Sequence, residues 1–353
     1  MVGVVATPVV AYSTTSSWIV APAIGAGDFA WLEVNRNDGN ARTVAAFRGD
    51  RLIVRTAGKN ATVVDQPCDT APCNAIQAPI TGAGGAFAYA VAFPGTGGYV
   101  ASASAVGASN LVAEDTTDPA LITTPHLVTT TGSAVVWVDN NVILIAPNIG
   151  GTAAILVTAV QAGGDITSVS ASAAGIAWSA QTPAGGTMVG YRSAIGALST
   201  RAQEPNAATA TLTSVALADD GTIVAIRRSV RKRRQQVTVL AIAVDGTPRT
   251  LVKSAAFSKQ DPIESTRPSV TENLVAVRLR DGQGSGQDAL WVVNLTTGRR
   301  SRVTVVDRNH SRLSDPSFGN GRLVWARTDL AGRWLVKSRI YSAAVRNKPT
   351  LQG

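Results

Sequence analysis

Apolar positions along this chain come in short runs, not in long stripes. Runs rich in Val, Ile, Ala and Thr are broken repeatedly by Gly, Asn, Asp or Pro. No segment holds a 3.6-residue apolar period between helix caps. Small and β-branched residues between turn formers predict strands joined by tight turns.

One local pattern recurs: a turn, two apolar residues, then usually an aromatic. It reads "GDFAW", "GGAFAY", "GSAVVW", "AAGIAW", "DGTIVAI", "TENLVAV" and "GNGRLVW". The first apolar residues are Phe29, Phe87, Val135, Ile176, Val224, Val275 and Leu323, spaced 41 to 58 residues apart. A short β-rich segment precedes each motif and two more follow. In the fifth unit "TSVALADDG" leads into "TIVAIRRS", then "QQVTVLAIAVDG" and "TPRTLVK". Four strands per unit of this length predict an all-β fold: a single seven-bladed β-propeller of four-stranded antiparallel blades, one domain over residues 1–353. Gly27, Gly85, Gly132, Gly175, Gly221 and Gly321 stand in the first turn of six units. Asn273 is expected to take the left-handed position in the sixth.

Trp31, Tyr89, Trp137, Trp178 and Trp325 close five of the motifs. Aromatics at one repeat position predict packing between blades more than stacking on a sugar or base. The last unit has no convincing fourth strand, while the first has surplus strand ahead of it. Gly3–Tyr12 is therefore expected to be the outer strand of the last blade and to close the ring. The other reading of this apolar segment is a trimmed signal sequence.

The segments "DPSFGNGRLVWART" and "VALADDGTIVAIRRS" give the repeat a resemblance to the TolB-like (WD-like) β-propeller family. That resemblance covers nearly the whole chain, although the family's Ser-Pro-Asp-Gly turn is never intact. It implies a protein-interaction or ligand-binding platform at the bacterial envelope, so a secreted, periplasmic or cell-surface location is expected.

Composition adds a charge asymmetry. The chain of 353 residues has a mean hydropathy of +0.14, enough to bury a core, and a formal net charge of +9. Residues 1–200 carry 7 basic and 11 acidic residues, a balance of −4; residues 201–353 carry 25 and 12, a balance of +13. The excess culminates in "RRSVRKRRQQ", residues 227–236. Blade topology makes this the hairpin between the second and third strands of the fifth blade. Without Gly or Asn, it is expected to need a loop longer than two residues or a protruding ribbon.

The predicted binding residues are Arg227, Arg228, Arg231, Lys232, Arg233 and Arg234, joined on the same face by Arg267, Arg308, His310 and Arg312. They suit an anionic polymer, ligand or acidic protein. The competing reading is a solvated hairpin tip that discourages edge association. No DNA- or RNA-reading motif is present, which argues against sequence-specific nucleic-acid recognition.

Candidate chemistry is sparse. Cys68 and Cys73 in "CDTAPC" suit a short-loop disulfide or two free thiols. Two Cys, with His126 and His310 at no ligand spacing, predict no metal site. No cofactor motif, nucleophile elbow or zincin motif is present. The longest apolar stretch, Ala134–Val160, is interrupted by Asp139, Asn140, Asn141, Pro147 and Asn148, which argues against a membrane span. These readings predict a monomeric, non-catalytic binding platform. The alternative is a propeller enzyme, a polysaccharide lyase or glycoside hydrolase, with a site dispersed around the central channel.

Overall fold

The computed structural model describes residues 2–4, 7–25, 28–35, 48–49, 51–56, 59–67, 76–83, 86–93, 97–104, 107–113, 125–132, 134–148, 151–258, 266–281, 286–319, 321–332 and 334–347. Among them stand seven antiparallel sheets, each built on four strand positions, and each motif forms the second strand of one sheet. Every inner strand touches the inner strand of the next sheet, and the seventh touches the first. The result is a seven-bladed β-propeller.

The recurring aromatics lie between blades. Trp31, Tyr89, Trp137, Trp178 and Trp325 are all buried. Their polar atoms find partners where they need them. Trp178 Nε1 donates to the Ala162 carbonyl at 3.0 Å, and Trp31 Nε1 to Glu33 Oε1 at 3.1 Å. Ala162 ends a single helical turn, Ala159–Ala162, which Thr158 caps at its start.

Hydroxyl side chains lace neighbouring inner strands together around the axis. The amides of Val215 and Leu217 donate to Ser168 Oγ and Ser170 Oγ at 3.1 and 3.0 Å. The amide of Phe318 donates to Ser269 Oγ at 3.0 Å. Strands of adjacent blades splay apart too far for a backbone ladder, so hydroxyls satisfy these buried donors.

The N-terminal segment closes the seventh blade in two pieces. Val2–Val4 and Val9–Thr14 both pair antiparallel with Trp334–Asn347. Tyr12 also reaches the first blade. Its ring lies 4.6 Å from that of Trp31, and its hydroxyl donates to Glu33 Oε1 at 3.2 Å.

Two turn expectations are corrected. The fifth-blade hairpin turns in two residues: Arg231 pairs with Arg234, and Lys232 takes φ +55°. The paired length of Ile223–Arg231 and Arg234–Ile242 leaves only Lys232 and Arg233 to turn, so register overrides turn propensity. In the sixth blade Glu272, not Asn273, has positive φ, at 47°. It is the first of two residues between the paired Thr271 and Leu274. Gly27 and Gly85 lie outside the described residues, as do Cys68 and Cys73. No helix among the described residues is long and apolar enough to cross a membrane.

Candidate functional site

The inner strands enclose a central cavity of about 420 Å³ to which all seven blades contribute. A second cavity of about 250 Å³ shares Thr130, Ala171, Leu217 and Val270 with it, so the two are ends of one channel. Each inner strand runs from the connector face of the ring toward its first turn. The first-turn end carries Asp219 and Glu272. The connector end carries Arg267, Arg278, Arg312 and Asp315. The channel is therefore acidic at one end and basic at the other.

The basic end is organised by blades 6 and 7. The seventh inner strand is split into Ser311–Leu313 and Ser317–Gly319, and the break at Ser314-Asp315-Pro316 turns Asp315 toward the cavity. Arg278, on the second strand of blade 6, places Nε 3.3 Å from Asp315 Oδ1 and Nη1 3.8 Å from Asp288 Oδ2. Arg308 Nε lies 3.4 Å from the same Asp288 oxygen. Burial pushes the Asp315 carboxyl up, against the pull of Arg278 and Arg267. Burial likewise lowers the Arg267 guanidinium, opposed by Asp315; arginine's very high intrinsic pKa keeps it charged.

Arg267-Pro268-Ser269 and Asp315-Pro316-Ser317 occupy equivalent places in consecutive units, so the repeat brings a cation and an anion to the same ring position. Arg278, Asp288 and Asp315 were not among the predicted site residues. The signal was partial: Arg278 interrupts an apolar run, whereas Asp288 stands at the head of one, beside Gln287.

The predicted basic residues fall into two groups. Arg267 and Arg312 line the channel at its connector end, and Arg308 is tied to their neighbour Arg278 through Asp288. The Arg312 guanidinium donates through Nη1 to the Arg308 carbonyl. His310 is exposed, with Nδ1 3.1 Å from Asp307 Oδ2. The Asn309 amide and His310 together hold the Asp307 carboxyl below its usual range.

The second group is the hairpin. Arg227 pairs with Glu204, and Arg228 Nε donates to Gln235 Oε1 at 3.0 Å. Gln235 is buried, and its Nε2 donates to the Ser258 carbonyl at 2.8 Å, beside a short added strand, Phe257–Ser258. Arg280 stacks its guanidinium 4.4 Å from the Phe257 ring centroid. Beyond these anchors Arg231, Lys232, Arg233 and Arg234 are all exposed. Strand alternation and pairing thus tie down the first two arginines and leave four consecutive cations at the tip.

No protein-family model matches the sequence, and no curated protein matches it. Solved structures do match in shape. A puromycin hydrolase mutant complexed with PGG superposes with a TM-score of 0.58 at 12% identity, over 94% of this chain and 54% of that one. Oligogalacturonate lyase in complex with manganese gives 0.54 at 11% identity, over 95% and 98% of the two chains. The complex of KlAtg21 with the coiled-coil of AgAtg16 gives 0.50 at 10% identity, over 92% and 98%. This chain spans about half the length of the puromycin hydrolase. At such identities the likeness is one of fold: a hydrolase, a lyase and a protein complex share it. Among the described residues, no group of three or more His, Cys, Asp or Glu is placed to hold a metal ion.

Proposed function

We propose that the chain is a one-domain binding propeller, TolB-like in role and acting at or outside a bacterial envelope. It docks an anionic polymer or acidic protein surface through the fifth-blade hairpin. The observation that carries this reading is the tip itself. Four consecutive cations are exposed at a two-residue turn, on strands that Glu204, Gln235 and Ser258 hold in place. A rigidly mounted cluster loses less conformational freedom on binding than a floppy loop would. Arg adds fork geometry for carboxylate, sulfate or phosphate groups.

Heparin is the probe. Wild type should be retained with an affinity that falls steeply with salt, and changing Arg231, Lys232, Arg233 and Arg234 together to Ala should flatten that slope. Equal retention of both proteins would sink this reading.

The roomy central cavity favours a second reading, an enzyme acting on polysaccharide, and the oligogalacturonate lyase shares the fold over nearly its full length. Against a hydrolase stands Arg278, which touches both Asp288 and Asp315. A carboxylate pair tied to one guanidinium is poorly placed for acid and base roles. Incubation with oligogalacturonate and polymeric uronates separates the two: release of shortened or unsaturated products would replace the binding reading with this one.

A further inference from the structure

The hairpin leaves the channel unused, and the channel has the attributes of a small-molecule site. Its volume of about 420 Å³ falls within the span of ligand pockets, roughly 300–1,000 Å³. Its wall between the ends is mixed: the half-buried Val270 and Phe318 offer apolar surface beside the hydroxyls of Thr81, Thr129 and Ser170. One end is ionic. Three guanidiniums, Arg267, Arg278 and Arg312, line it with one carboxylate, Asp315, an excess of positive charge among the described residues, and Asp288 joins Arg278 to Arg308 beyond the lining.

Trp18 supplies an independent observation. It is 3% exposed and lines the cavity, and its Nε1 has no hydrogen-bond partner among the described residues. It sits at the start of its inner strand, Ser17–Gly25, and packs on Leu330 and Leu335 of the seventh blade. That is the connector end, where Arg312 pairs in register with Thr328, another cavity residue. A buried indole N–H without an acceptor costs about 1–3 kcal/mol, and a ligand oxygen would satisfy it.

We infer that the central cavity binds a small amphipathic oxyanion, with one carboxylate or phosphate head between Trp18 and the arginine cluster and an apolar body along the channel. The head must be an acceptor, because the groups offered at this end are an indole N–H and guanidinium forks. The orientation follows from charge. Asp219 and Glu272 at the far end repel an anion, so the head lies at the connector end. The apolar body gains by leaving water along the strand-lined wall.

The test is calorimetric titration of the full chain with octanoate, phenylbutyrate and octyl phosphate, each beside its neutral amide or alcohol. The charged probes should bind one per chain, at least about tenfold tighter than their neutral counterparts. The tighter head, carboxylate or phosphate, then identifies the ligand's anionic group. Trp18→Phe should weaken binding by about fivefold to tenfold, the worth of one hydrogen bond. Arg312→Gln should reduce the preference for charge, with Arg267 and Arg278 still in place. Trp18→Phe keeps a smaller aromatic ring in place, so with its Tm read beside its Kd it stays informative if Arg312→Gln misfolds. The hairpin variant that loses heparin affinity should bind the probes like wild type, which separates this site from the docking surface. Equal affinity for charged and neutral probes, no binding across the set, or an unchanged Kd in Trp18→Phe would overturn the inference.

Discussion

Arg278 of the sixth blade reaches Asp315 of the seventh, with Nε 3.3 Å from Oδ1, and its other arm faces Asp288. One guanidinium thus spans two blades and balances two carboxylates at the channel mouth. Arg278→Ala removes the bridge and leaves two largely buried carboxylates short of a counter-charge. The expected loss is about 3 kcal/mol, the lower end for breaking a buried ion pair, because Arg308 and Arg267 remain nearby. Arg278→Lys should recover only part of this, since an ammonium cannot form the fork. Urea unfolding of the three proteins measures both differences. A stability for Arg278→Ala within error of wild type would show the bridge to be energetically idle.

Asp329 ties together the strands of the seventh blade and gives it a pH dependence. It accepts from Ser311 Oγ at 2.9 Å and Arg327 Nε at 2.8 Å, and it pairs with Arg339. Burial alone would raise its carboxyl, but the bonds from Arg339, Ser311 and Arg327 outweigh burial and hold it below the usual range. A group whose folded pKa is depressed contributes its stability above the unfolded value, about 3.9 for Asp. That contribution is lost as pH falls through the folded value. Asp329→Asn should therefore cost about 1–3 kcal/mol near pH 7. The gap to wild type should close as the pH is lowered below about 4. A gap that stays constant down to acid pH would show that ionisation of Asp329 is not what matters.

Gly190 is a packing requirement that its backbone does not reveal. A Cβ there would stand 2.2 Å from Trp178 Cε2. Trp178 is 1% exposed and pinned through Nε1 to Ala162, so it has nowhere to move. Gly190→Ala should cost about 1–3 kcal/mol or more through overpacking. Gly132→Ala makes the contrast. It meets open space but holds φ +57°, so only backbone strain of about 1–2 kcal/mol is expected. Adding Trp178→Phe, which narrows the ring, should relieve the Gly190→Ala penalty and leave the Gly132→Ala penalty unchanged. Thermal melts of these variants decide it; equal effects of Trp178→Phe on both would refute the clash.

The same residues explain how much was legible beforehand. Trp178 and its equivalents announced the blades because one repeat position needs one kind of packing, and a packing requirement is written locally. Val9–Thr14 could be placed because the last unit lacked a strand and the first had one to spare. The channel mouth is different. Arg278, Asp288 and Asp315 come from two blades, and their encounter is set by which strand face looks at the axis. Arg267, Arg308 and Arg312 were singled out for their charge on the connector face, but nothing local in the sequence says which of them line the channel that opens there. The hairpin turn was misjudged because Lys232 adopts positive φ under the pull of long paired strands, against its own preference. The helical turn at Ala159–Ala162 is too short to leave a period.

The closing strand yields the last prediction. Val9 and Val10 are 62% and 48% exposed, so this strand contributes little through burial. Its worth lies in the ladder to Trp334–Asn347 and in Tyr12, which touches both Trp31 and Glu33. Removing residues 1–14 should lower Tm by roughly 5–10 °C, equivalent to a few kcal/mol for a domain of this size. It should also promote self-association, because Trp334–Asn347 then becomes an open edge. Changing Val9 and Val10 to Thr should leave Tm nearly unchanged, since the ladder survives. Tyr12→Phe should cost about 1 kcal/mol, the price of one hydrogen bond to a carboxylate that keeps other donors. Differential scanning calorimetry and light scattering on the four proteins test the set together. A truncated chain that melts with wild type and stays monodisperse would mean that the seventh blade holds without its clasp, and the segment's role would then lie outside folding.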